Sequence, residues 1–226
     1  MARQVVEGVW LLELGLVAPL ASNAYLVDDG EVTLVDAGLP YNYPRLGDEL
    51  AAAGYGRTDV ERVLLTHYDL DHVGGIARLD GSPPTHLGER DVALLRGGAG
   101  NGFHHKGLFH RGLRRLFDLG ERDLRPVADG DRIGGFEAFH TPGHNPGHTA
   151  FVHEGLSAAF LGDLVWEEEG DLTPPFWLDS YDMREVRRSI RAFADRAPPF
   201  EAACMGHGTP FATGGSDRLR VLADRL

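Results

Sequence analysis

The sequence predicts an α/β protein with two β-sheets packed face to face and helices on the outside, and three observations carry that expectation. Short apolar runs recur along the 226 residues, each closed by glycine, aspartate or histidine. Amphipathic helical patterns lie between them, singly and at intervals. The hydrophobic share of 42% is enough to bury a sizeable core. A three-layer α/β arrangement would give a similar list of elements. The length favours one domain, or two tightly fused halves.

The elements follow in order. "VWLLELGLVAPLASNA" (9–24) reads as strand, turn and strand. It has an apolar stretch like that of a secretory leader, but Glu7 and Glu13 interrupt the run and only Arg3 is basic before it. Strands are expected at "NAYLV" (23–27), "VTLVDAG" (32–38), "RVLLTH" (62–67), "FEAFHT" (136–141), "TAFVHE" (149–154), "SAAFLGD" (157–163) and "EAACMGHG" (201–208). "DDGE" (28–31) and "HEGL" (153–156) have the composition of hairpin turns. Helices are expected over 44–54, with Gly54 as the stop, over 88–98, and over 182–195, where Met183, Val186, Ile190 and Phe193 share a face. A last helix over 216–226 follows an N-cap serine.

Residues 97–120 break this rhythm. A glycine-rich start leads into an amphipathic helix with Phe109, Leu113, Leu116 and Phe117 on one side and Arg111, Arg114 and Arg115 on the other. The segment reads equally as a surface helix over core and as a lid or dimer contact, so the expected organisation is one domain over 1–226 with a lid or insertion at 97–120.

A formal charge of −12 repels phosphate backbones and argues against nucleic-acid binding. No apolar run reaches the roughly 20 residues that cross a bilayer. The single cysteine, Cys204, rules out an internal disulfide framework and fits a reducing, cytoplasmic setting. It lies in an apolar strand and reads as core.

Four polar clusters each follow an apolar run. "THYDLDH" (66–72) presents His67, Asp69, Asp71 and His72. "HTPGHNPGH" (140–148) carries three histidines on a loop stiffened by proline and glycine. "FLGD" ends on Asp163, and in "CMGHGTP" glycines flank His207. A single histidine at a strand end is ordinarily a hydrogen-bonded structural residue. Four such clusters point instead to a site for zinc, iron or manganese, because imidazole nitrogen and carboxylate oxygen suit those ions.

The ordered set "NAYLV…LVDAG", "THYDLDHVGG", "TPGHNPGH", "FLGD" and "GHG" resembles the metallo-β-lactamase superfamily over nearly the whole chain. The resemblance implies a four-layer αββα sandwich with its site along one edge of two mixed sheets. It also implies two divalent ions, zinc first, with iron or manganese as alternatives. His67, residue 69 and His144 would hold one ion, Asp71, His72 and His207 the other, and Asp163 would bridge them. His148 would be structural, and Asp36 would support the site through hydrogen bonds.

One position departs from the family pattern H-x-H-x-D-H: this chain reads H-Y-D-L-D-H. Asp69 is expected to ligate directly. Binding through a water, a weak first site that leaves one firmly held ion, or an Asp69 that points away into an ion pair remains open.

Two ions sharing a water would lower its pKa towards neutrality and supply hydroxide for attack on a carbonyl carbon. Asp71 would orient the nucleophile or take its proton, as the catalytic residue. The expected activity is hydrolysis of an ester, thioester, lactone or amide in a small molecule; a non-haem diiron oxygen-binding or redox protein of the flavodiiron scaffold is the second reading. Glyoxalase II-like enzymes carry a helical extension, whereas 226 − 207 = 19 residues follow His207 here. Lactonases of the family often have tyrosine where this chain has Trp166. Tyr68 and Tyr181 are candidate substitutes, each equally a packing residue. Trp166, Phe176 and Trp177 are candidates for an apolar substrate mouth, although aromatics in such a setting ordinarily pack in a core. Lys106 with Arg111, Arg114 and Arg115 could hold a substrate carboxylate, or form a solvated helix face.

Overall fold

The computed structural model describes residues 1–15, 22–39, 43–96, 104, 106 and 122–226. A mixed seven-stranded sheet runs in chain order: β1 (Arg3–Val6), β2 (Val9–Leu14), β3 (Ser22–Asp28), β4 (Val32–Val35), β5 (Arg62–Leu65), β6 (Thr85–Gly88) and β7 (Leu124–Val127). Its first four strands are antiparallel and the rest join β4 in parallel. The second sheet has five strands. β8 (Arg132–Ile133), β9 (Phe136–His140), β10 (Thr149–His153) and β11 (Ala158–Gly162) pair antiparallel, and the last strand, β14 (Ala202–Met205), pairs parallel to β11. A separate hairpin joins β12 (Trp166–Glu168) to β13 (Asp171–Thr173).

Period-two alternation sorts the strand residues into three apolar layers. Val9, Leu11, Tyr25 and Val27 of the first sheet meet Phe136, Phe151, Phe160 and Cys204 of the second. From the same strands, Leu12, Leu14 and Leu26 turn the other way, onto Leu46 and Leu50 of α1 (Tyr43–Ala52). Ala150, Val152, Leu161 and Met205 turn outward onto Val186, Ile190 and Phe193 of α4 (Met183–Arg196) and Leu219 and Leu222 of α5 (Gly215–Arg225). Strands β5, β10, β11 and β14 are buried on both faces, so they read as continuous apolar runs and not as alternating ones. The architecture is therefore the four-layer αββα sandwich, and the three-layer alternative is set aside.

Two short helices complete the first half: α2 (Leu70–Val73) and α3 (Glu89–Leu95). Helix α4 begins on Asp182, whose carboxylate accepts from the N–H groups of Arg184 (2.8 Å) and Glu185 (3.3 Å). Helix α5 differs from expectation. Its N-cap is Gly214, at φ 69°, and Ser216 lies inside the first turn. The Ser216 hydroxyl instead accepts from the Phe200 N–H at 2.7 Å and donates to the Phe200 carbonyl at 3.0 Å.

Strands β1, β6, β7, β8, β12 and β13 were not evident from the apolar pattern, because each is short or interrupted by polar residues. Pro126 sits in β7, the edge of its sheet, where a missing N–H does no harm. Apart from residues 104 and 106, the expected lid at 97–120 lies outside the described residues, with Phe109, Arg111, Leu113, Arg114, Arg115, Leu116 and Phe117. Among the described residues no helix is long and apolar enough to cross a membrane.

Candidate metal centre

Both sheets end at one edge, and there their connecting loops converge. A cross-sheet tie closes that edge: the Asn23 side-chain amide donates to the carbonyls of Met205 (3.1 Å) and Gly208 (2.7 Å), and the Tyr25 hydroxyl donates to Met205 (2.7 Å). The turn after β5 carries His67 and Asp69 and leads into α2 with Asp71 and His72. His144 lies on the loop between β9 and β10. Asp163 follows β11, and His207 follows β14.

Hydrogen bonds behind the imidazoles fix which nitrogen faces the centre. Asp36 sits at φ 58°, a conformation that aspartate tolerates better than most residues. Its carboxylate accepts from the Thr66 N–H (2.8 Å) and the Thr66 hydroxyl (2.8 Å), and lies 2.9 Å from His72 Nδ1. Thr66 has given its proton to Asp36, so its oxygen accepts from His67 Nδ1 at 3.0 Å. His67 and His72 therefore turn their Nε2 lone pairs inward. His148 stays behind the site. It bonds the Thr141 hydroxyl through Nδ1 (2.8 Å), and its Nε2 accepts from the Asp163 N–H at 3.0 Å, holding the backbone of Asp163 in place.

The donor atoms form two linked groups. His67, Asp69 and His144 lie within 4.8 Å of one another, and so do Asp71, His72 and His207. Asp163 reaches both: Oδ1 is 3.6 Å from His72 Nε2, and Oδ2 is 3.2 Å from His207 Nε2 and 3.4 Å from His144 Nε2. Asp71 Oδ2 is 3.7 Å from His72 Nε2 and 3.6 Å from His207 Nε2. Ligands about 2.0–2.1 Å from a tetrahedral zinc lie about 3.3 Å apart, so these separations match a shared ion. His67 Nε2, His72 Nε2 and Asp163 Oδ1 are buried with no hydrogen-bond partner. Three such atoms aimed into one centre fit a metal ion. Gly206 keeps the space clear, since a Cβ there would collide with Asp163 Oδ1 and lie 2.7 Å from the His72 ring.

Charge at the centre is concentrated. Burial alone would raise the pKa of Asp163, but His207, His72 and His144 hold its carboxyl well below the usual range. Burial alone would lower the pKa of His207, yet Asp163 lifts it to about 9. His67 moves the opposite way: burial, with His72 beside it, holds its imidazole well below the usual histidine range.

Asp69 is placed differently from its neighbours. It is the N-cap residue of α2, yet its side chain makes no cap hydrogen bond. Oδ1 accepts from the Asn145 amide at 2.6 Å, and Oδ2 lies 2.7 Å from the Lys106 ammonium. Lys106 also reaches His144 Nε2 (2.9 Å), the Asp179 carbonyl (2.6 Å) and the His144 carbonyl (3.4 Å). Burial works against its charge, but Asp69 and Asp179 outweigh it and hold the ammonium above the usual lysine range. Lys106 is thus buried on an internal carboxylate, not displayed on a solvated face.

Residues that the sequence did not single out brace these loops. Asp91 accepts from the Gly147 N–H (2.6 Å) and the Tyr68 N–H (3.0 Å), clamping the His144 loop to the His67 turn; burial pushes its carboxyl up to about 8. Asp179 shares a group with His144 and Asp163. Asp91 lies in the first turn of α3 and Asp179 ends the short turn ahead of α4, so neither belongs to the polar clusters that follow apolar strands. The hydroxyls of Tyr68 and Tyr181 lie 2.6 Å apart, bonded to each other.

The solvent-facing end is that of Asp71 and His207, with side chains 23% and 15% exposed. Trp166 packs there, its ring 4.8 Å from that of His207. Phe176 and Trp177 are 50% and 61% exposed, so neither is a core residue. They stand on the turn that leads to Asp179, Ser180 and Tyr181.

Comparisons with known proteins agree with this geometry. Residues 17–207 match the model of the metallo-beta-lactamase superfamily. The chain is 27% identical to the probable metallo-hydrolase YybB of Bacillus subtilis, over 91% of this chain and 90% of that one. It is 30% identical to the N-acyl homoserine lactonase AttM of Agrobacterium fabrum, over 66% and 59%. The crystal structure of the metallo-beta-lactamase family protein TTHA1429 from Thermus thermophilus superposes with a TM-score of 0.75 at 26% identity, covering 98% of this chain and 80% of that one. TTHA1623 in a di-iron-bound form superposes with a TM-score of 0.66 at 29% identity, covering 91% and 96%. Sandwich, converging histidines and carboxylates, and family match agree: the chain is a metallo-hydrolase belonging to the metallo-β-lactamase superfamily.

Proposed function

We propose that the chain hydrolyses an ester, thioester, lactone or amide bond of a small molecule at a divalent metal centre lined by His67, Asp71, His72, His144, Asp163 and His207. The observation that carries this reading is the convergence of three unpartnered, buried donor atoms, His67 Nε2, His72 Nε2 and Asp163 Oδ1, on one centre. A divalent ion held there acidifies a coordinated water and polarises a carbonyl oxygen. The chain's own residues do the rest. Asp71 is the most solvent-exposed carboxylate of this set, and it can accept a proton from the water that attacks the substrate. Asp36 and Thr66 keep His72 and His67 in the tautomers that face the centre. Trp166, with Phe176 and Trp177 nearby in the chain, offers apolar surface for an acyl or aromatic group. The lactonase activity named for AttM supports acyl lactones as the first substrates to try.

Zinc is the proposed ion, and the di-iron form of TTHA1623 supports iron as the second reading. Elemental analysis and a visible spectrum of protein purified without added metal separate the two. A panel of acyl lactones, thioesters and esters then tests the chemistry. Asp163→Ala and His207→Ala should each remove bound metal and turnover together. Turnover that survives at normal metal content in either variant rejects the assignment.

A further inference from the structure

Lys106 answers the question posed by residue 69, where the family pattern has histidine and this chain has aspartate. We propose that the ammonium of Lys106 stands in the cation position between Asp69 and His144. The chain then holds a single divalent ion, on the side of Asp71, His72, Asp163 and His207. This inference rests on the metal-dependent reading above for that one ion.

The geometry divides the centre into a satisfied half and an unsatisfied half. On the Lys106 side, Asp69 Oδ2 is 2.7 Å and His144 Nε2 is 2.9 Å from the ammonium, and Asp69 Oδ1 accepts from Asn145 at 2.6 Å. On the other side, His67 Nε2, His72 Nε2 and Asp163 Oδ1 are buried without a partner. His67 Nε2 lies 3.4 Å from Asp69 Oδ2 but belongs equally to the group with His72 and Asp163, so its lone pair is available to an ion on that side.

An imidazole nitrogen has one in-plane lone pair. His144 Nε2 cannot accept an N–H from Lys106 and also bind a metal. Lys106 is buried, with 3% of its surface exposed, and an ammonium has three protons. Asp69 Oδ2, His144 Nε2 and the Asp179 carbonyl, at 2.6 Å, are three acceptors at short range. No donor is left over for a substrate. Lys106 is therefore a positioning residue that supplies a fixed positive charge to the loops. A histidine at 69 would offer that charge no counter-ion, whereas a carboxylate does. The extended backbone of Asp69 and its unused capping role follow, because its oxygens are spent on Lys106 and Asn145.

Metal stoichiometry tests this directly. The full-length chain is stripped of metal and titrated with Zn²⁺, and bound ions are counted by native mass spectrometry and elemental analysis. Wild type should take up one ion per chain, and Lys106→Met, which frees Asp69 and His144, should take up two. In the metal-saturated wild type, the proton–nitrogen correlation of a buried lysine ammonium should persist, and it should vanish in Lys106→Met. Two ions of comparable affinity in wild type, or loss of the ammonium signal on saturation, would overturn the proposal while leaving the hydrolase reading intact. So would a Lys106→Met protein that folds and still binds only one. No ion on wild type would overturn the metal-centred reading itself. Should Lys106→Met fail to fold, the wild-type count and ammonium signal decide the matter alone.

Discussion

At the residue scale, the centre is governed by side chains that touch no metal. Asp36 fixes His72 directly and His67 through Thr66. Asp36→Asn should lower metal affinity about 10–100-fold, as losses of partners behind ligating histidines commonly do. Competition with a chromogenic chelator reads this out, and affinity unchanged from wild type would show that the Thr66 relay is dispensable. Asp91 offers a pH test. Its carboxyl titrates near 8 in the folded chain against about 3.9 unfolded. Because the folded value is the higher one, its contribution to stability is full below about pH 3.9 and is lost as pH rises through about 8. The melting temperature of wild type relative to Asp91→Asn should therefore fall between pH 5 and 8, and parallel curves would refute the assignment. The ligand candidates were readable in the sequence because each polar cluster follows an apolar strand. The family pattern separates His144 from His148; His148 is bonded to the Thr141 hydroxyl and the Asp163 N–H, whereas His144 Nε2 faces the Lys106 ammonium. Lys106 was not readable as a buried group. Its sequence neighbours are cationic and suggest a solvated face, and only the approach of Asp69, from far along the chain, reveals its partner.

At the element scale, helix α4 does more than cover a sheet. Its start is tied to the His144 loop: the Tyr181 N–H donates to the His144 carbonyl (3.1 Å) and the Asp182 N–H to the Gly143 carbonyl (2.9 Å). Asp182→Ala removes the N-cap and should cost about 1 kcal/mol of stability. Denaturant unfolding measures it, and a midpoint equal to that of wild type would mean the cap is replaced by solvent at no cost. The helix was recognisable from the spacing of Val186, Ile190 and Phe193, all buried against the second sheet. Strands β6 and β7 were not. "THLG" and "LRPV" are too short and too polar to stand out, and they are strands because β5 presents an open parallel edge to β6, and β6 in turn to β7. Tertiary pairing decides such segments where propensity does not.

At the scale of the whole molecule, the donor residues come from both sheets: His67, Asp71 and His72 follow β5, whereas Asp163 and His207 follow strands of the other half. An ion bound by both halves favours the closed sandwich over any opened form. At a free concentration 1,000 times the dissociation constant the stabilisation is about 4 kcal/mol. Chelation should lower the melting temperature accordingly, and re-addition of Zn²⁺ should restore it. A melting curve indifferent to both would show that the halves are held by their apolar layers alone.

The same layering gives the molecule a built-in clock. Cys204 is the only thiol of the chain, and it is sealed between the two sheets with its acidity suppressed by burial. A maleimide or disulfide reagent reaches it only after the sheets part. The labelling rate therefore times the rarest excursions of the native protein, without any engineered probe.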